Sequence, residues 1–174
     1  VDIGSSGYDA ETGYGKLDAH AALIAAKPVP DELISSGFDT GYEGFTTSGN
    51  NAGWGSSTDL MSTAPYLFMS KEPSGANPII TSPSFDASPY QQILLTFNVK
   101  FYSPLDPNNV MYVYYYDGSS WNNLEGFLAS DYGNDVMNFV SIEINSSEYN
   151  MASNAQIRFE GVGDVRFSTF IDNV

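Results

Sequence analysis

Residues 91–102 alternate Ile93, Leu95, Phe97, Val99 and Phe101 with Leu94, Thr96, Asn98, Lys100 and Tyr102. Period two held over this length is the mark of a strand with one buried face. Ser103-Pro-Leu-Asp-Pro-Asn-Asn109 then supplies breakers and turn formers. Val110-Met-Tyr-Val-Tyr-Tyr-Tyr-Asp117 follows, rich in the β-branched and aromatic residues that fit a pleated surface. The two stretches are expected to form a central antiparallel pair. They read as scaffold, since neither carries a catalytic constellation.

The flanking sequence continues in the same manner. Short strands are expected at 32–38, at 66–71, and at 77–85 in two pieces or at an edge because of Pro78 and Pro83. Residues 39–59 are Gly-, Ser- and Asn-rich and read as a long loop anchored by Phe45 and Trp54. Asp117-Gly118 begins a turn into a strand over 121–128. Val140, Ile142 and Ile144 alternate with polar neighbours, as do Ile157 and Phe159. Residues 165–174 close the series. Many short strands with turn signals between them predict an all-β sandwich over residues 32–174.

Charge and composition narrow the function. The chain has 21 acidic residues against 6 basic ones, a formal net charge of -15. Such a balance opposes nucleic acid and anionic membrane as partners. There is no Cys, so disulfides and thiolate metal sites are excluded. No stretch reaches the roughly 18 apolar residues of a spanning helix. Without an initiator Met or a signal peptide at Val1, the chain is expected to begin inside a longer precursor.

Residues 1–27 differ from the rest. A Gly- and Ser-rich loop leads to Asp18, a helix N-cap, and a short helix over 19–26 stopped at Lys27-Pro28. So short a helix is marginal alone, and Leu17, Leu23 and Ile24 must pack on something. Gly13-Tyr-Gly-Lys-Leu-Asp-Ala-His-Ala-Ala-Leu23 resembles the closing segment of the catalytic domain of subtilisin-like serine proteases. The resemblance covers about the first 27 residues and includes no catalytic residue. The Gly-Thr-Ser-Met-Ala nucleophile motif of that family is missing from the chain. It implies a remnant of such a domain, followed by a linker at 28–31 and a second domain at 32–174.

That second domain carries Gly37-Phe38-Asp39, Gly44-Phe45, Ser82-Pro83-Ser84-Phe85-Asp86, Leu95-Thr96-Phe97, Asp117-Gly118 with Trp121, Ile157-Arg158-Phe159 and Phe170-Ile171-Asp172-Asn173-Val174. In this order they resemble the MAM-like and carbohydrate-module-like jelly rolls of secreted bacterial proteases. The implied fold is a jelly-roll β-sandwich with a short N-terminal loop-helix extension, and the implied setting is extracellular. The resemblance also implies one structural Ca²⁺ held between Asp39 and Asp172, with Glu43 as a further candidate ligand. Such an ion takes roughly six to eight oxygen ligands. In the resembling domains the chain runs a few residues further, which leaves the completion of the last strand open.

Other chemistry is sparse. His20, the sole histidine, has no triad or metal partner arranged around it and reads as a surface residue. No pair of carboxylates is singled out for glycoside hydrolysis, and no enzyme is expected. Asn145-Ser-Ser147 matches a glycosylation acceptor, a short motif with little weight. If Met111 and Val113 point inward, Tyr112, Tyr114 and Tyr116 form an outward row. Three readings of that row stay open: cross-strand pairing, a protein contact, or a platform on which sugar rings stack.

The expected function is that of a non-catalytic extracellular domain. One form is a structural unit that self-associates into a homo-oligomer or filament, through Leu17, Leu23 and Ile24 and an unfinished sheet edge. The alternative is an accessory module that binds polysaccharide or protein substrate and tethers a secreted protease to it.

Overall fold

The computed structural model describes residues 32–55, 65–72, 74–102, 108–133, 135–163 and 166–174. The expected loop-helix extension, the protease-like segment, His20 and the contact residues Leu17, Leu23 and Ile24 lie outside the described residues. Within the described residues, ten strands run in chain order: β1 (Thr46–Ser48), β2 (Ala52–Gly55), β3 (Tyr66–Lys71), β4 (Ile79–Thr81), β5 (Gln92–Tyr102), β6 (Val110–Tyr116), β7 (Trp121–Leu128), β8 (Met137–Asn145), β9 (Gln156–Val162) and β10 (Phe167–Asp172). They form two antiparallel five-stranded sheets, β1-β4-β9-β6-β7 and β2-β3-β10-β5-β8. The fold is all-β, a jelly-roll sandwich, as the strand pattern and the resemblance predict.

The core lies between the two sheets and is built by alternation. Leu95, Phe97, Val99 and Phe101 of β5 are buried, while Leu94 and Tyr102 face outward. From the opposite sheet come Met111, Val113 and Tyr115 of β6 and Ile157 and Phe159 of β9. Phe97 locks the layers together. Its ring meets Phe159 at 5.1 Å and Phe127 at 6.1 Å, both edge to face, the arrangement that the ring quadrupoles favour.

The expected central pair does not form. β5 and β6 belong to opposite sheets. β5 pairs with β8, from Gln92↔Asn145 to Lys100↔Met137, and with β10 on its other side. β6 pairs with β7 and β9. The physical reason is that alternation fixes which side of a strand is buried, not which strand lies beside it. The connection between them is also longer than the two-residue turns that most often close a hairpin. With β5 and β6 in opposite sheets, the two buried rows meet face to face.

Two further corrections concern the ends. The segment 32–38 is not a strand of either sheet. Its Ser36 and the C-terminal Val174 exchange backbone hydrogen bonds of 2.9 and 3.0 Å. The last strand is not an unfinished edge either: β10 lies between β3 and β5, in the middle of its sheet. The strand-accepting edge expected there is already filled.

The loop expected over 39–59 holds β1 and β2. Its anchors behave as the sequence predicts. Phe45 is buried against Phe38 at 5.2 Å, edge to face. The Trp54 indole Nε1 donates to the Phe38 carbonyl at 2.8 Å. The strand expected over 77–85 does come in two pieces, β4 and an isolated bridge from Phe85 to Ala155. β4 is interior, between β1 and β9.

Candidate functional site

The outer face of the β1-β4-β9-β6-β7 sheet holds the aromatic row. Inward Met111, Val113 and Tyr115 are fully buried, so Tyr112, Tyr114 and Tyr116 point out, each half-buried. Register sets Tyr112 beside Gly126 and Glu160, Tyr114 beside Asn123 and Arg158, and Tyr116 beside Trp121 and Gln156. Paired residues on neighbouring strands share a face. The row is therefore the middle line of a broader patch.

The three tyrosines are not equivalent. The Tyr116 hydroxyl donates to the Gly118 carbonyl at 3.1 Å, and its ring lies 5.2 Å from Trp121. It is tied into the β6–β7 hairpin. Tyr112 and Tyr114 pair with each other at 6.1 Å, their rings tilted by 45°. The Tyr112 ring lies over Gly126, where an added Cβ would come within 2.8 Å of it. That glycine lets the ring lie along the sheet. Burial, and then the nearby Glu160 carboxylate, push the Tyr114 hydroxyl above its ordinary pKa, while a side-chain hydrogen bond from Asn123 acts the other way. Tyr114 therefore keeps its proton across the neutral range.

Polar groups border the pair. Glu160 Oε1 accepts from Asn77 Nδ2 at 2.7 Å. Gln156 Nε2 donates to the Ser82 carbonyl at 3.0 Å. The Arg158 guanidinium lies 3.7 Å over the Trp121 ring. Burial lowers its pKa somewhat. The hairpin beneath is held by Asp117, whose Oδ1 accepts from the amides of Ser119 and Ser120 at 2.9 and 2.8 Å. Those bonds, the Ser120 amide foremost, hold the carboxyl well below the usual carboxylate range.

Sequence reasoning found the tyrosine row but missed Trp121, Arg158 and Glu160 as its neighbours. Alternation around Ile157 and Phe159 does place Arg158 and Glu160 on an outward face. Nothing local says that β9 lies against β6.

The expected calcium ligands end up at one end of the sandwich without forming a cage. Asp39 is exposed. Its Oδ2 and the Asn173 Oδ1 flank Gly37, at 3.6 and 3.7 Å from where a Cβ would stand. Asp172 is buried, and its carboxylate accepts from the Asn173 amide at 2.9 Å and from Asn173 Nδ2 at 3.1 Å. Glu43 closes its own loop: it accepts from Ser36 Oγ at 2.7 Å, the Phe38 amide at 3.0 Å and the Thr40 amide at 3.1 Å. Those bonds, the one from Ser36 foremost, lower its pKa. They also steady Phe38, which holds a φ of 58°, a costly conformation outside glycine. Among the described residues no three His, Cys, Asp or Glu side chains gather into a metal-holding group. The side chains alone fall short of a calcium shell.

No family model matches the sequence, and no curated protein matches it. Solved structures do share the fold. One is TmCBM61 in complex with β-1,4-galactotriose, with a TM-score of 0.55 and 14% identity over 79% of this chain and 91% of that one. A second is CBM27-1 of Caldicellulosiruptor saccharolyticus in complex with mannohexaose, with a TM-score of 0.55 and 16% identity over 81% and 94% of the two chains. A third is the K3 cleaved adhesin domain of Lys-gingipain from Porphyromonas gingivalis, with a TM-score of 0.54 and 14% identity over 81% and 95%. At these identities the likeness shows the sandwich fold and nothing finer. Among the described residues no helix is long and apolar enough to cross a membrane.

Proposed function

We propose that this chain is a non-catalytic carbohydrate-binding module of an extracellular protein, and that Tyr112 and Tyr114 form its sugar-stacking platform. The observation that carries the reading is the tilted Tyr112–Tyr114 pair, half-buried on the outer face of an antiparallel sheet. Rings fixed in this way present apolar faces to a pyranose at little cost in side-chain entropy. Structures of the same fold bound to galactotriose and mannohexaose support the choice of ligand. The protease-tethering role implied by resemblance belongs to the same proposal. The self-association reading keeps only the contact residues Leu17, Leu23 and Ile24, and sedimentation at high concentration tests it.

Retention on insoluble β-1,4-linked galactan, mannan and xylan tests the platform. The wild-type chain is expected to be retained on at least one of them. Changing Tyr112→Ala and Tyr114→Ala together should weaken binding by about tenfold or more, ~1.4 kcal/mol, the scale of a truncated aromatic anchor. Tyr116→Phe should leave it unchanged. Unaltered retention by the double variant removes the platform, and no retention by the wild type removes the module.

A further inference from the structure

Arg158 is held in place but closes no ion pair among the described residues. Its guanidinium reaches across β6 to lie 3.7 Å over Trp121, yet its Nε is buried with no hydrogen-bond partner. The ion pairs among the described residues are Lys100–Asp135 and Arg166–Glu72, and neither involves it. In a chain with 21 acidic residues against 6 basic ones, the Glu160 carboxylate acts on this half-buried guanidinium only at a distance, and among the described residues no carboxylate closes an ion pair with it. A buried donor without an acceptor costs stability, and such groups are few in native proteins. The cation–π contact fixes the fork, so little ordering is left to do when an acceptor arrives.

Two residues along β9, Glu160 faces the same side. The bond from Asn77 Nδ2 goes to its Oε1. Register puts Arg158 beside Tyr114 and Glu160 beside Tyr112. A donor-only group and an acceptor-only group thus stand one above the other along the tyrosine pair.

We infer that Arg158 and Glu160 are the specificity-determining pair of this platform, and that together they select uncharged glycans over uronate-bearing ones. The inference rests on the carbohydrate-binding reading. A sugar hydroxyl both accepts and donates, so adjacent hydroxyls of a ring stacked on Tyr112 and Tyr114 satisfy Arg158 and Glu160 at once. A uronate satisfies the fork alone and brings its charge against Glu160, in the field of a chain carrying -15. Trp121 is a positioning residue here: one of its faces is taken by the guanidinium, so it orients Arg158 rather than stacking a sugar on that face.

Calorimetric titration of the full chain with soluble galactan, mannan and polygalacturonate, at one ionic strength, tests this. The wild type is expected to bind a neutral polymer and to ignore polygalacturonate. Arg158→Gln and Glu160→Gln should each weaken neutral binding by about tenfold, the loss expected for a charge-assisted hydrogen bond. Glu160→Gln is nearly isosteric, so it should do so without moving the melting temperature. Arg158→Lys keeps the charge but not the fork and should not rescue binding. Tighter binding of polygalacturonate than of the neutral polymers overturns the inference, as does neutral binding at full strength in both Gln variants. If no glycan binds the wild type, the module reading itself fails, and the pair with it.

Discussion

Replacing Phe97 with Ala should cost more than almost any other single change in this domain. The side chain is fully buried. It belongs to β5 yet spends its edges on two rings of the other sheet, Phe159 at 5.1 Å and Phe127 at 6.1 Å. Truncating a buried Phe costs about 3–5 kcal/mol, transfer and cavity terms together. For a domain of this size each kcal/mol moves the melting temperature by roughly 2–4 °C, so a fall of about 6–20 °C is expected. The assay is urea unfolding followed by circular dichroism, with the midpoint shifting and the slope unchanged. Leu94→Ala is the control: Leu94 lies on the same strand but is 58% exposed, and its loss should change stability by no more than about 0.5 kcal/mol. A double-mutant cycle with Phe159→Ala isolates the ring pair and should show coupling of about 0.5–1.5 kcal/mol. Phe97→Leu is a milder variant that keeps the cycle measurable if Ala unfolds the domain. Additivity within about 0.3 kcal/mol would refute the reasoning, because it would mean that β5 and β9 do not face each other across the core.

Two other outcomes follow from the ends and the hairpin. Asp117 has a folded pKa below its unfolded value, so its contribution is present above about pH 4 and is lost as the pH falls toward the folded pKa. The stability gap between wild type and Asp117→Asn, measured in urea, should therefore be clear at pH 7 and shrink below about pH 4; a gap constant across that range would show that the carboxylate charge is not what the hairpin uses. At the other pole, Glu43 and Asp172 already spend their oxygens within the protein. Chelator should leave the melting temperature of the chain unchanged, and a calcium-dependent rise would instead assign an ion to the Asp39–Asn173 corner.

The division between what sequence reveals and what it hides follows sequence distance. Burial was largely legible as alternation: Leu95, Phe97, Val99 and Phe101 and Met111, Val113 and Tyr115 are buried, and Tyr112 and Tyr114 face out, but Lys100, Phe170 and Asp172, set outward by period two, are buried as well, because β5 and β10 lie inside their sheet. Neighbours were not legible. The pairing of β5 with β8 and of β6 with β9 joins residues 37 to 53 positions apart, and no local signal marks it. The same limit hid the candidate site. Tyr112 and Tyr114 stand out as a motif, but Arg158 and Glu160 look like ordinary outward residues until β9 is laid against β6. The short strands β1 and β2 were missed for another reason. Their residues, Thr-Thr-Ser and Ala-Gly-Trp-Gly, have loop composition, and only their partners β4 and β3 hold them extended.

The mutual hydrogen bonds between Ser36 and Val174 carry a mechanical consequence. Residues that exchange both bonds form an antiparallel pair, so the backbone leading into Ser36 and the terminus at Val174 leave from the same side of that rung. Tension across the two ends would peel this rung open rather than slide it, loading its bonds one after another instead of in parallel. Behind it lies β10, clamped between β3 and β5. Under pull, the domain would therefore yield first at its closing clasp, while the sheet carrying Tyr112 and Tyr114 remains outside the line of force.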